Sequence, residues 1–224
     1  MFDIVWQSDQ VVVIDKHAGA NFHSEQGEAG LFATLTQTCP GLYPVHRLDK
    51  PTSGLLVMAK TAEANKQLCQ QFRDSQVDKY YLAISAKKPR KKQGAVVGDM
   101  SNARRGAWML TRERSNPART AFISRSLGEG RRLFMVKPAT GRTHQIRVAL
   151  KSVGSAILGD TLYGAQASDR LYLHAYSIGF VIDGQYLRFT RLPSTGRYFG
   201  DETFSQLMAE PAMLEPWSLA WPAC

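Results

Sequence analysis

Residues 46–54 read HRLDKPTSG. One carboxylate, Asp49, stands among His46, Arg47 and Lys50, with Pro51 and Gly54 close behind. A single acid in such a loop can serve as a nucleophile or a general base. On the nonamer alone, a surface ion pair with Arg47 or Lys50, contributing about 0–1 kcal/mol, accounts for it equally well. A second segment tips the balance towards chemistry. GRTHQIR (141–147) gathers Arg142, His144, Gln145 and Arg147 at the predicted start of a helix. Such an end favours anions through its free N–H groups and its dipole. Other chemistries lack their residues. There is no Gly-rich phosphate loop, no His-Glu pair at helical spacing for zinc, and no G-x-S-x-G elbow. The histidines at 17, 23, 46, 144 and 174 fall at no metal spacing. Cys39, Cys69 and Cys224 form neither a metal spacing nor a disulfide framework and suit a reducing cytoplasm. A mechanism without metal or cofactor is therefore expected.

These loops need a scaffold, and 224 residues are enough for one sizeable core. DIVWQSDQVVVI (3–14) predicts two strands joined at Ser8-Asp9-Gln10. Residues 15–30 read as loop, and 31–38 as a short helix. Leu55–Lys60 is an apolar strand. Residues 61–77 predict the clearest helix, with Thr61 as N-cap and Ala64, Leu68 and Phe72 on one face. KYYLAIS (79–85) predicts a strand, and 119–127 with 132–138 a hairpin around Gly128-Glu129-Gly130. Residues 139–154 read as a loop and then a helix capped by Thr143 and stopped at Gly154. Short strands recur from Leu171 to Phe189. Strands outnumber helices and many join by tight turns. The expected class is α+β, with a mostly antiparallel mixed sheet flanked by helices and loops. One domain over 1–224 is expected. No apolar run approaches the roughly 18 residues of a membrane span, and the first ten residues do not read as a secretory signal.

The net charge is +9. Residues 85–118 hold nine Lys or Arg against Asp99 and Glu113, a net of +7, which leaves +2 for the rest of the chain. This basic insert reads equally as a nucleic-acid contact surface and as a solvated loop. Trp108 within it adds a possible stacking face.

Several ordered motifs together resemble the RluA-type pseudouridine synthase family. HRLDKPTSGLLVMAKT resembles its catalytic loop and following strand. KYYLAI resembles its K-x-Y-x-A motif, with Lys79, Tyr81 and Ala83. GRTHQIRVAL, LGDTLYG (158–164) and LYLHAYSIGF (171–180) resemble its later segments, and DIVWQSDQVVVIDKHAG its start. His17 stands where the family usually has Pro, and Ala149 where His is common. The family's frequent S4-like RNA-binding domain has no counterpart in the chain. The resemblance implies a pseudouridine-synthase-like catalytic domain that needs no cofactor and no metal. It implies Asp49 as the catalytic aspartate, attacking the target uridine or its ribose, with Arg147 as its ion-pair partner in a closed site. Tyr81 is implied to stack on the base. Arg47 is implied to fill the stack vacated when the uridine flips out, a step costing a few kcal/mol.

Lys50, Arg142, His144, Gln145 and the insert residues Lys87, Lys88, Arg90, Lys91 and Lys92 are the expected RNA contacts. The expected partner is a structured ribosomal or transfer RNA, with no membrane, and the protein is expected to be a cytoplasmic monomer. A catalytically silent RNA-binding or RNA-folding protein of the same fold is the alternative, although intact Asp49, Tyr81 and Arg147 speak against it. A glycoside-cleaving enzyme would need a second carboxylate. Asp160 is the nearest candidate, and its place after Gly159 reads as a turn.

Overall fold

A computed structural model describes residues 1–22, 24 and 29–224. Part of the predicted 15–30 loop, including His23, lies outside the described residues. In chain order the strands are β1 (Phe2–Gln7), β2 (Val11–Lys16), β3 (Tyr43–Pro44), β4 (Ser53–Ala59), β5 (Asp78–Ser85), β6 (Gln93–Gly98), β7 (Met100–Asn102), β8 (Trp108–Leu110), β9 (Ala118–Ser126), β10 (Arg132–Pro138), β11 (Leu173–Ile182) and β12 (Gln185–Thr190). The helices are α1 (Leu31–Thr38), α2 (Ala62–Arg73), α3 (Gln145–Ser152), α4 (Glu202–Met208) and α5 (Pro211–Leu214). The chain divides into two compact units, residues 1–79 with 174–192, and residues 80–173 with 193–224.

In the first unit β1 and β2 form the predicted hairpin. Its turn closes through Ser8 N–H to Val11 O at 2.9 Å, and the Ser8 hydroxyl accepts from the Gln10 and Val11 amides. The antiparallel partners β2 and β4 are buried along their whole lengths and form the centre of the sheet. β3 adds to β4, and β12 returns antiparallel on β11. The four-residue spacing of α2 lays Ala64 and Leu68 on Val57, Phe180 and Ile182. Thr61 caps α2 as predicted, its Oγ1 accepting from Ala64 N–H at 3.1 Å.

The second unit carries the antiparallel order β5-β10-β9-β6. Strands β9 and β10 are the predicted hairpin, closed by Arg131 N–H to Gly128 O at 2.8 Å. α3 packs near β8, β9 and β10. The 85–118 segment differs from a simple insert. β6 within it is an edge strand on β9, and β7–β8 is a small hairpin of its own. Alternating residues of β6 are half-buried, which is how a one-sided edge strand reads. The carboxylate of Asp99 ties the far end down, accepting from Ser115 N–H, Ser115 Oγ–H and Asn116 N–H. Among the described residues no helix is long and apolar enough to cross a membrane.

Candidate active site

The HRLDKPTSG loop joins β3 to β4, and its side chains differ in burial. Leu48 is buried, Asp49 half-buried, and Arg47 and Lys50 exposed. Leu48 therefore anchors the loop while leaving the acid at the surface of the unit. The backbone around Asp49 is held from two sides. On one side Thr52 N–H bonds to Asp49 O at 3.0 Å, and Gly19 N–H to Lys50 O at 2.9 Å. Lys16, fully buried at the end of β2, donates its Nζ protons to three carbonyls, those of His17, Ala20 and Lys50, at 2.8–3.1 Å. A buried ammonium is tolerable only with such satisfaction, and here its donors fasten residues 17–20 to the Asp49 loop.

The other side is the start of β4. Gly54 lies at φ +112° and pairs in parallel with Ala175, so close that a Cβ would sit 2.3 Å from the Ala175 carbonyl oxygen. Only glycine permits that approach. The neighbouring Ser53 hydroxyl meets His174 Nδ1 at 2.8 Å, and His174 Nε2 meets Arg191 O at 2.8 Å. The carbonyl requires Nε2 to carry the proton, so Nδ1 accepts from Ser53.

His46 is not one of the cations around Asp49. Its Nε2 accepts from Val57 N–H at 3.0 Å, and its ring stacks on Phe72 with centroids 4.5 Å apart. Burial, reinforced by the charge of Lys79, pushes its pKa down to about 3. Lys79 is itself buried, with Nζ 5.4 Å from the Phe72 ring centroid, and burial pulls its pKa down to about 8. Both groups bind fewer protons folded than unfolded, each in its own window. Between about 6.5 and 3 the unfolded chain protonates His46 and the native state does not, so stability falls as pH drops. Between about 8 and 10.5 the unfolded chain retains the Lys79 proton that the native state releases, so stability rises with pH. Urea unfolding across both windows should show these slopes. His46→Gln should flatten the acid slope and Lys79→Met the alkaline one. Wild-type slopes in either variant would remove the assignment.

In the second unit the strand alternation separates two adjacent tyrosines. Tyr80 is buried near Trp217 and Trp221, while Tyr81, opposite Val136 of β10, is half-buried on the other face. Arg147 projects from α3 and is buried. Its Nε and Nη2 form a fork onto the two oxygens of Asp160, both at 2.8 Å. Its guanidinium also lies 5.0 Å from the centroid of the Tyr163 ring.

Asp160 therefore does more than form the turn expected of it. Its backbone makes that turn, accepting from Tyr163 and Ala165 N–H, while its buried carboxylate aligns Arg147. The preceding Gly159, at φ +82°, faces Arg170 O so closely that a Cβ would lie 1.9 Å from it. An acid closing the apolar run Ala156-Ile157-Leu158-Gly159 was the available sequence signal, though no spacing rule links it to Arg147.

Other predicted contacts take different positions. Gln145 is buried, and both ends of its amide bond within the protein. Oε1 accepts from Thr140 Oγ1–H and Arg142 N–H, and Nε2 donates to Arg119 O and Thr120 Oγ1. It shapes the 139–144 loop, and its side-chain amide is taken up by partners within the protein. His144, not Thr143, occupies the N-cap position of α3, at φ +57° and with no side-chain cap. Its Nδ1 lies 2.9 Å from the Tyr163 hydroxyl, which also accepts from Trp108 N–H. Arg142 is exposed and hydrogen-bonded to Asn116 Oδ1. Lys87, Lys88, Arg90, Lys91 and Lys92 lie on the surface segment between β5 and β6, with Lys87, Lys88, Lys91 and Lys92 exposed and Arg90 also solvent-facing. Among the described residues no group of three His, Cys, Asp or Glu side chains is arranged to hold a metal.

The model of the RNA pseudouridylate synthase family matches residues 10–152, a span that includes Asp49, Tyr81 and Arg147. The chain belongs to this family. It is an RNA pseudouridine synthase, an isomerase. An uncharacterized RNA pseudouridine synthase of Haemophilus influenzae is 44% identical over 201 residues, covering 88% of this chain and 90% of its own. The ribosomal large subunit pseudouridine synthase D of Nitrosomonas europaea is 35% identical over 175 residues, 74% of this chain and 51% of that one. Among solved structures, human RNA pseudouridylate synthase domain containing 1 superposes with a TM-score of 0.72 at 24% identity, over 85% of this chain and 83% of that one. That likeness extends the family assignment to the fold.

Proposed function

We propose that Asp49 is the nucleophile of this synthase and that a uridine in a structured ribosomal or transfer RNA is its substrate. The half-buried acid on a doubly fastened loop, between exposed Arg47 and Lys50, carries the reading. Attack by the Asp49 carboxylate on the base or its ribose accompanies cleavage of the N1–C1′ bond. The uracil turns within the site and rejoins C1′ through C5, and the bond to the Asp49 carboxylate breaks so that the acid is regenerated. The C5 hydrogen leaves as a proton and N1 gains one, so the product is an isomer of the substrate and no redox partner enters. Arg147, aligned by Asp160, stabilises negative charge in the closed site. Tyr81 stacks on the flipped base, and Arg47 occupies the gap it leaves. Lys50, Arg142, His144 and the cations of 87–92 contact the RNA. The chain acts as one catalytic domain, as a monomer, in the cytoplasm.

The N. europaea relative, named for the large ribosomal subunit, makes ribosomal RNA the first substrate to offer. RNA labelled with tritium at uridine C5 should release the label as the isomerisation proceeds. Separate unmodified pools of ribosomal and transfer RNA should respond unequally, and the responding pool gives the substrate class. No release from either pool would sink the proposed substrate and favour a silent RNA-binding protein.

A further inference from the structure

A cavity of about 330 Å³ opens in the second unit, one helical turn along α3 from Arg147. Its walls are residues 86–87, the 154–158 segment that follows α3, and the 163–166 turn, with Lys151 reaching in from the helix. The walls are built and braced. Ser155 Oγ–H donates to Lys87 O at 2.9 Å, Ser85 Oγ–H to Ala156 O at 2.8 Å, and Arg90 N–H to Val153 O at 3.2 Å. The turn opposite is held by Gly159 N–H to Gln166 O and Ala165 N–H to Asp160 O.

The lining charge has one sign. Lys87 and Lys151 line the cavity, and among the described residues no carboxylate does. The nearby acid, Asp160, is buried in its fork with Arg147. The aromatic lining residue, Tyr163, is buried, and the charged ends of both Arg147 and Lys151 lie over its ring, at 5.0 and 5.4 Å from the centroid. A base would find no open face to stack on, whereas an anion would meet two ammonium groups. The volume is at the lower end for ligand pockets, about that of one nucleotide. From Lys87 the cations continue through Lys88, Arg90, Lys91 and Lys92 along the surface. That track is longer than one free phosphate needs.

We propose that this cavity seats a phosphate–ribose unit of the substrate RNA strand, with Lys87 and Lys151 as its phosphate ligands. The proposal rests on reading the chain as an enzyme that acts on RNA. The contact is to the backbone, so it positions the strand without reading sequence. It also gives Lys151 a role beyond offsetting the negative end of the α3 dipole.

The test is RNA binding by fluorescence anisotropy over a range of salt, with wild type, the Lys87→Gln/Lys151→Gln double variant and Ala86→Glu. Each phosphate that a lysine no longer neutralises lowers the slope of log K against log salt by about 0.7–0.9, so the slope of the double variant should fall by about 1.5. Ala86→Glu keeps both lysines and adds a repelling carboxylate at the rim, so it should weaken binding without unfolding the braced walls. Amide NMR shifts at Gly154, Ala156 and Gly164 should appear with a single-stranded oligonucleotide and vanish in the double variant. An unchanged slope in the double variant, or the same shifts with inorganic phosphate alone, would overturn the proposal. Tritium release is read in parallel. Wild type that releases no label, yet shows the lower slope on substitution, sinks the Asp49 mechanism and supports the cavity.

Discussion

Asp49→Asn is expected to abolish tritium release from C5-labelled RNA, by at least about a thousandfold in turnover, while RNA affinity should stay within about tenfold. The substitution removes the negative charge and keeps the shape. Several contacts that do not involve the Asp49 carboxylate seat the loop. Leu48 anchors it in the core, Lys16 and Gly19 hold the Lys50 carbonyl, and Thr52 bonds to the Asp49 backbone. The variant should therefore melt close to wild type and still bind RNA through its cations. Single-turnover tritium release and anisotropy on the same preparations separate the two effects. Turnover preserved in Asp49→Asn would remove the nucleophile assignment. Turnover abolished together with folding would show that the side chain is structural.

Asp160→Ala is expected to damage both stability and chemistry. It leaves the buried Arg147 guanidinium without the fork that Nε and Nη2 now make. Removing one partner of a buried pair costs about 3–5 kcal/mol. For a chain of this length each kcal/mol moves the melting temperature by about 2–4 °C, so a fall of about 10 °C is expected. The guanidinium also loses its fixed direction, and a displacement of about 1 Å at a catalytic group can lower turnover about a hundredfold.

The companion experiment separates these effects. Replacing the pair with apolar residues, Arg147→Met with Asp160→Leu, removes both charges of the fork. That double variant should recover much of the melting temperature and none of the turnover. If Asp160→Ala melts and turns over like wild type, other contacts orient Arg147 and the fork is incidental.

Much of the scaffold was legible because it is local. The α2 cap at Thr61, the β1–β2 turn at Ser8, and the β9–β10 hairpin at Gly128 each involve residues within a few positions of one another. Periodicity and turn chemistry report such features directly. The motif set carried the family and its implied residues for the same reason, since residue types in order are what a sequence preserves. The basic stretch was legible as charge. Its division into an edge strand, a hairpin and a surface cationic track was not, because β6 finds its partner in β9, more than twenty residues on.

Residue type and short-range spacing alone determined the family, the α+β class and the lone acid in its cationic loop. The tertiary structure decided which of those groups carry charge and what holds them. His46 reads as a cation in the string and is a half-buried neutral imidazole in the fold. Gln145 reads as a donor for RNA and is the keystone of its own loop. Asp160 reads as a turn residue and is the buried partner of an arginine thirteen positions away. Burial and long-range pairing set the proton occupancy and direction of a side chain. Both arise only when distant segments of the chain return to the same place.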